Sequence, residues 1–299
     1  MQFYGSESGF EILGVSAHAF QPTAYWPQLK SNYTHKIADL AESSRHLPGL
    51  FMAFKPELVI NCAAQADVME AEADPNAAAA LNTELPKNLA GICRDTGARF
   101  IHVSTDAVFD GKSSRPHSVT DSPNPVHTYG RSKHQGEILT AKTNPQALIL
   151  RTNLVGFRDR GKPTFGEWLC NALQKAEPIK LFTDFVTNPI HVRDFTRLSN
   201  DLVNANAKGI YHLGCSDPVS KFDFGQMLAS ELNLSMQNVT KAKMSETPLQ
   251  PPRSPNLSLD MSETEKILKT SLPQAKDAAR QLAADFRLRL QKENAHAAR

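Results

Sequence analysis

Apolar, often β-branched runs recur along the chain, and the stretches between them carry apolar residues three or four positions apart. Residues 10–15, 57–61, 99–104, 147–151 and 209–213 read as strands, with a short further strand at 35–40. Their apolar character is continuous rather than alternating, which predicts strands covered on both faces and therefore parallel pairing. Residues 74–96, with Leu81, Leu85 and Leu89 at spacing four, read as one helix, and residues 129–141 as another. This alternation predicts an α/β fold with a doubly wound, Rossmann-type parallel sheet.

Beyond Val155 the pattern changes to helices at 165–175 and 222–232 among loops rich in Pro and Asn, and 247–256 is dense in proline. Residues 1–155, completed by about 186–215, are expected to form the parallel-sheet domain. Residues 156–185 and 216–299 are expected to form a smaller C-terminal substrate lobe. The end after Phe286, with Arg287, Arg289, Lys292 and Arg299, reads as a solvated helix end.

Composition narrows the class. With 40% hydrophobic and 21% charged residues the chain has the make-up of a soluble globular protein. Thirty-three basic against 31 acidic residues leave a net charge of +2, which gives no electrostatic case for nucleic acid or a membrane surface. No apolar run reaches membrane-spanning length, and Met1–Glu7 lacks the basic-then-apolar pattern of a signal peptide. Four scattered cysteines form no CxxC pair, so a cytoplasmic, reducing compartment is expected, with Cys62 in the core. His102, His117, His127 and His134 lack metal-ligand spacing, and no metal is expected.

The chemistry concentrates in two places. Ser104-Thr105-Asp106 closes an apolar strand, and Tyr129 and Lys133 stand four apart on one helical face. A nearby ammonium favours the phenolate, so such a tyrosine passes a proton nearer neutral pH than a free phenol does. A strand-end hydroxyl adds a hydrogen bond to a carbonyl oxygen. Together these groups suit protonation of a carbonyl while hydride arrives at its carbon.

Around them lie Val59-Ile60-Asn61-Cys62-Ala63-Ala64, Ser104-Thr105-Asp106-Ala107-Val108-Phe109-Asp110-Gly111, Tyr129-Gly130-Arg131-Ser132-Lys133 and Leu150-Arg151-Thr152-Asn153, followed by 209–214, 218–221 and 253–260. In this order, over nearly the whole chain, they resemble the extended short-chain dehydrogenases/reductases, in the dTDP-4-dehydrorhamnose reductase branch. The resemblance implies an NAD(P)H-dependent reductase of a nucleotide-linked 4-keto-sugar. It implies a catalytic triad of Thr105, Tyr129 and Lys133, with Ser104 as the neighbouring alternative to Thr105. Tyr129 would protonate the sugar ketone, and Lys133 would bind the nicotinamide ribose. Asp39, Leu40, Ala63, Ala64, Asn82 and Ser104 would join Tyr129 and Lys133 along the cofactor, although Asp39 reads equally as a helix N-cap. Asp106, Val108, Phe109, Asn153 and Arg253 would join Thr105 at the substrate, with Arg253 near the diphosphate. The cofactor is NADP or NAD; Ser16-Ala17-His18 offers no carboxylate for a ribose 2′-hydroxyl, which favours NADP. The implied partner is a small nucleotide-sugar, without nucleic acid or membrane, and a homodimer is left open.

The pattern departs from the family at its start. Relatives open with a strand, a GxxGxxG turn and a helix, whereas Gly5, Gly9 and Gly14 have another spacing. Residues 10–15 correspond to the second strand and Met1–Tyr4 to the end of the first helix, so the first strand and its glycine loop are expected to be missing. The gap would be closed by pairing of the second strand with the fourth, or filled by another chain, or would mark a shortened sequence. Tight dinucleotide binding, and with it ketone reduction, is then not expected of these 299 residues alone. Ala107, Val119 and Asn153-Leu154 also depart from the family, so the sugar stays open. The alternative function is a non-catalytic sugar-nucleotide-binding or regulatory protein, like the regulatory subunit of methionine adenosyltransferase.

Overall fold

The strands form where the apolar runs place them, with ends shifted by up to three residues. The computed structural model describes residues 10–19, 33–158, 161–247 and 249–297. It divides into two units. The first holds the chain up to Phe109, Ser122–Arg151 and Asn200–Tyr211; the second holds Asp110–Asp121, Thr152–Ser199 and the chain from His212 onward.

The first unit carries β1 (Ile12–Ser16), β2 (Tyr33–Ile37), β3 (Leu58–Asn61), β4 (Arg99–Val103), β5 (Leu148–Arg151) and β6 (Gly209–His212). A four-stranded sheet runs in the order β6-β5-β4-β3. In it β3 and β4 pair in parallel with Asn61 opposite His102, and β4 and β5 in parallel with Val103 opposite Leu150. Every residue of β5 is buried, as expected of a parallel strand covered on both faces. Leu47 and Phe51 of α1 (Ser43–Phe54) pack with Leu85, Leu89 and Cys93 of a later helix and with Phe100 of β4.

β1 and β2 form a separate parallel pair. Among the described residues β1 has no ladder except with β2, and β3 none except with β4, so the sheet is interrupted between β1 and β3. Pairing of the second strand with the fourth, one of the three outcomes open for the gap, is therefore not formed among the described residues. Met1–Tyr4, expected at the end of the first helix, lie outside the described residues, as do Gly5 and Gly9.

The helix expected over 74–96 forms without a break over 75–96 and carries a π-helical turn inside it. After α2 (Val68–Ala73) comes α3 (Pro75–Ala79), then a π-helical turn Ala80–Glu84, then α4 (Leu85–Thr96). Asp74 starts α3 by accepting from the Ala77 amide at 2.9 Å, and Gly97, at φ 78°, ends α4 in the left-handed region. The wide turn brings the Asn82 carbonyl against Gly136 of α5 (Thr128–Thr143), where a Cβ would overlap that oxygen. Gly130 serves the same purpose near the start of the helix: a Cβ there would overlap the Ala107 carbonyl.

In the second unit Asn153–Val155 pairs in parallel with Pro189–His191, and Ile179–Phe182 with Val239–Ala242. Helices Phe165–Gln174, Lys221–Leu232 and Ala275–Ala297 pack through Leu169, Phe224, Leu228, Leu282 and Phe286. The end after Phe286 is not simply solvated. Arg289 bonds Glu167 at 2.9 Å and lies over the Phe157 ring, and Leu290 packs against the core. Among the described residues no helix is long and apolar enough to cross a membrane.

The seat of α5 is testable. Gly136→Ala forces a methyl against the Asn82 carbonyl and is expected to destabilise the protein by about 1–3 kcal/mol. A urea midpoint equal to that of the unsubstituted protein would show that the two backbones do not meet there.

Candidate active site

Strand β4 delivers Ser104 and Thr105 at its carboxyl end. The Ser104 amide donates to Leu150 O at 2.7 Å, which ties this end to β5. Thr105 then caps a one-turn helix, Asp106–Val108: its Oγ1 accepts from the Ala107 amide at 3.1 Å and donates to Asp106 Oδ1 at 3.2 Å. Tyr129 lies in the first turn of α5, where the Thr105 hydroxyl acts on its phenol. Lys133 follows one turn along, 2% exposed, and donates to Val103 O at 2.7 Å. Thr105, Tyr129, Lys133 and Ser104 are thus assembled within one unit.

The start of α5 is held from three sides. His127 is its N-cap, with Nδ1 accepting from the Gly130 amide at 3.0 Å, so a neutral imidazole carries its proton on Nε2. The His127 ring stacks on Tyr129 with centroids 6.0 Å apart. Glu72 accepts from the Thr128 amide at 2.6 Å and the Thr128 hydroxyl at 2.7 Å. Those bonds lower the Glu72 carboxyl below its ordinary range.

Asn82 is fully buried beneath α5. Its Oδ1 accepts from the Gln65 amide at 2.9 Å, and its Nδ2 donates to Gln65 O at 3.1 Å and to Ser132 Oγ at 2.9 Å. Asn82 therefore joins the loop after β3 to the helix of Tyr129 and Lys133. Ala63 and Ala64 lie on that loop; the Ala63 amide donates to Asn61 Oδ1 at 3.2 Å.

Other expected site residues are placed differently. Asp39 is exposed and accepts from the Ala41 amide at 2.9 Å, the geometry of a cap, while Leu40 packs against the core. Val108 and Phe109 are buried, with the Phe109 ring under the Arg151 guanidinium at 5.1 Å, so both side chains pack rather than line a surface. Asn153 and Arg253 belong to the second unit, where Arg253 Nη1 donates to Pro251 O at 2.7 Å. Cys62, expected in the core, is exposed just past β3, where the strand ends at Asn61.

Burial governs the electrostatics. It pushes the Tyr129 phenol up to about 12; the Thr105 hydrogen bond pulls it down and the Asp106 charge adds to the rise. The expected depression of this phenol by Lys133 is not found, and Lys133 is not among the groups that shift it. Burial pushes Lys133 down to about 8, with Glu137 and Cys62 pulling the other way. Sequence reasoning missed Glu137, which accepts from Ser104, His134 and Arg151, although it stands one turn beyond Lys133 on the same face. It also missed His127 and Glu72, whose roles arise from capping across elements.

The parallel sheet, the strand-end hydroxyls and the Tyr129–Lys133 helix define a Rossmann-type reductase of the extended short-chain dehydrogenase kind. Within that class the chain belongs to the family of the RmlD substrate binding domain, whose model matches residues 18–288. The probable low-salt glycan biosynthesis reductase of Haloferax volcanii is 31% identical over 286 residues, covering 94% of this chain and 91% of the relative. A dTDP-4-dehydrorhamnose reductase from Clostridium acetobutylicum superposes with a TM-score of 0.78 at 26% identity, over 92% of this chain and 99% of that one. A dTDP-4-dehydrorhamnose reductase from Bacillus anthracis, solved with NADP, shares the fold at TM-score 0.78 and 21% identity, over 90% and 97%.

Among the described residues no cluster of His, Cys, Asp or Glu is placed to hold a metal. Asn82→Ala is expected to cost about 1–3 kcal/mol for each buried group left unpaired. Hydrogen exchange at the Gln65 amide should accelerate; an unchanged rate would detach Asn82 from that loop.

Proposed function

We propose that the chain is a nicotinamide-dependent reductase of a nucleotide-linked 4-keto-sugar, with Thr105, Tyr129 and Lys133 as its catalytic residues. The observation that carries this reading is that the strand end bearing Thr105 meets the Tyr129 phenol, with buried Lys133 one turn along donating to Val103 O of the same strand. The donor set fits the ribose end of such a cofactor. Lys133 Nζ gives one proton to Val103 O and has two more to offer a diol. When bound, the nicotinamide supplies hydride to the carbonyl carbon.

The rest follows from the chain itself. Tyr129, held protonated by burial, donates its phenolic proton to the ketone oxygen. Thr105 orients that phenol and offers the ketone a second hydrogen bond. The Lys133 ammonium stabilises the phenolate that develops as the proton leaves. NADP is favoured over NAD because the end of β1 presents hydroxyl and imidazole rather than carboxylate. There Ser16 Oγ donates to His18 O at 2.8 Å and lies 2.9 Å from His35 Nε2.

Turnover of a dTDP-4-keto-sugar with NADPH is the direct test, read beside separate titrations of each ligand. Tyr129→Phe is expected to lower kcat by about 100-fold or more while sugar-nucleotide affinity holds. Binding of the sugar nucleotide without NADPH binding or turnover would instead select the non-catalytic regulatory reading. The pH profile adds a second check. Lys133 works as its charged, acid form, so kcat should hold below about pH 8 and decline as pH rises through that value. A profile flat to about pH 10, the ordinary lysine range, would remove the depressed Lys133 charge from the mechanism.

A further inference from the structure

Glu137 is buried on α5 one turn beyond Lys133, and the reduction just described gives it no role. Its carboxylate gathers four bonds: from Ser104 Oγ at 2.5 Å and Arg151 Nε at 3.0 Å to Oε1, and from Arg151 Nη2 at 2.8 Å and His134 Nδ1 at 3.3 Å to Oε2. The side chains of Glu137 and Arg151 are 1% and 2% exposed. A pair this deep is a poor stabiliser, because desolvation offsets its attraction and an apolar pair of equal volume packs as well. The charge itself therefore calls for a function.

The surroundings of Lys133 supply one. On α5 its neighbours one turn to either side are Tyr129 and Glu137; from the loop past β3 comes Cys62 and from β4 His102, and Glu137 is itself paired with Arg151 of β5. Asp106 faces Tyr129 from the turn after β4. His102 is neutral, since burial holds it well below the ordinary imidazole range, with Lys133 adding to the fall. Burial alone would raise Glu137, but His134, Arg151 and Ser104 hold it down to about 2, so it is ionised throughout the working range. Glu137 is the carboxylate one turn from Lys133 on the same helix, and its charge favours the ammonium.

We propose that Glu137 is a positioning residue for ketone reduction: a buried counter-charge that keeps Lys133 protonated and, through Ser104, ties the strand end bearing Thr105 to the helix bearing Tyr129 and Lys133. Its use in catalysis rests on the reductase reading. The charge pairing belongs to the chain alone and is measurable without cofactor or substrate.

The experiment titrates Lys133 in the full chain by NMR of carbon-13-labelled lysine side chains, with the resonance assigned from Lys133→Arg. Glu137→Gln is expected to lower the Lys133 midpoint by about one pH unit or more, tenfold in proton affinity. The alkaline limb of kcat should move down with it. A folded Glu137→Gln protein with an unmoved midpoint overturns the proposal. Should Glu137→Gln fail to fold, Glu137→Asp withdraws the charge by one methylene and is expected to give a smaller fall in the same direction. No movement in that folded variant overturns the proposal equally. A shifted midpoint in a protein without turnover would sink the reductase reading alone; turnover with an unmoved midpoint would sink this inference alone.

Discussion

The first unit depends on how closely α5 approaches its neighbours. Gly136 lets the helix backbone reach the Asn82 carbonyl, and Gly130 lets it reach the Ala107 carbonyl at the turn after β4. These two contacts set the height and tilt of the helix that carries Tyr129 and Lys133. A methyl at either point would separate helix from turn, and side-chain chemistry that works over about 3 Å would be lost with it. The π-helical turn at Ala80–Glu84 belongs to the same constraint, because it turns the Asn82 backbone and side chain toward α5.

Polar groups buried by that packing are satisfied across elements rather than within them. Asn82 bonds the loop after β3 and Ser132 of α5; Glu72 bonds the first residue of α5; Glu137 bonds β4's end and β5. Each bond is worth only about 1 kcal/mol net, but breaking one strands its partner in a medium that cannot replace it. The site is therefore rigid for the same reason that it is buried. Burial also decides its protonation states, holding the phenol as an acid and bringing the lysine close to losing its charge.

Much of the fold was legible in the residues. Parallel strands buried on both faces are mostly apolar, and 147–150 meets that condition throughout. The Tyr129–Lys133 pair was legible because one helical turn brings residues four apart onto one face. The π turn inside the helix over 74–96 was not, because Leu81, Leu85 and Leu89 keep helical spacing while that turn answers to Gly136, more than fifty residues away in sequence.

What the chain determines by itself is periodic and local: which segments are strand or helix, and which residues share a face. It therefore specified the parallel sheet, the strand-end hydroxyls and the tyrosine–lysine helix. The tertiary structure decided everything that needs a partner from elsewhere. It placed Cys62 outside the core, put Val108 and Phe109 inside it, interrupted the sheet between β1 and β3, and raised the Tyr129 phenol where a neighbouring ammonium alone would lower it. Desolvation is a property of the surroundings, not of the residue, and no spacing in the sequence reveals it. Glu137 stands on the boundary between the two: its place one turn beyond Lys133 is written in the sequence, and its four donors exist only in the fold.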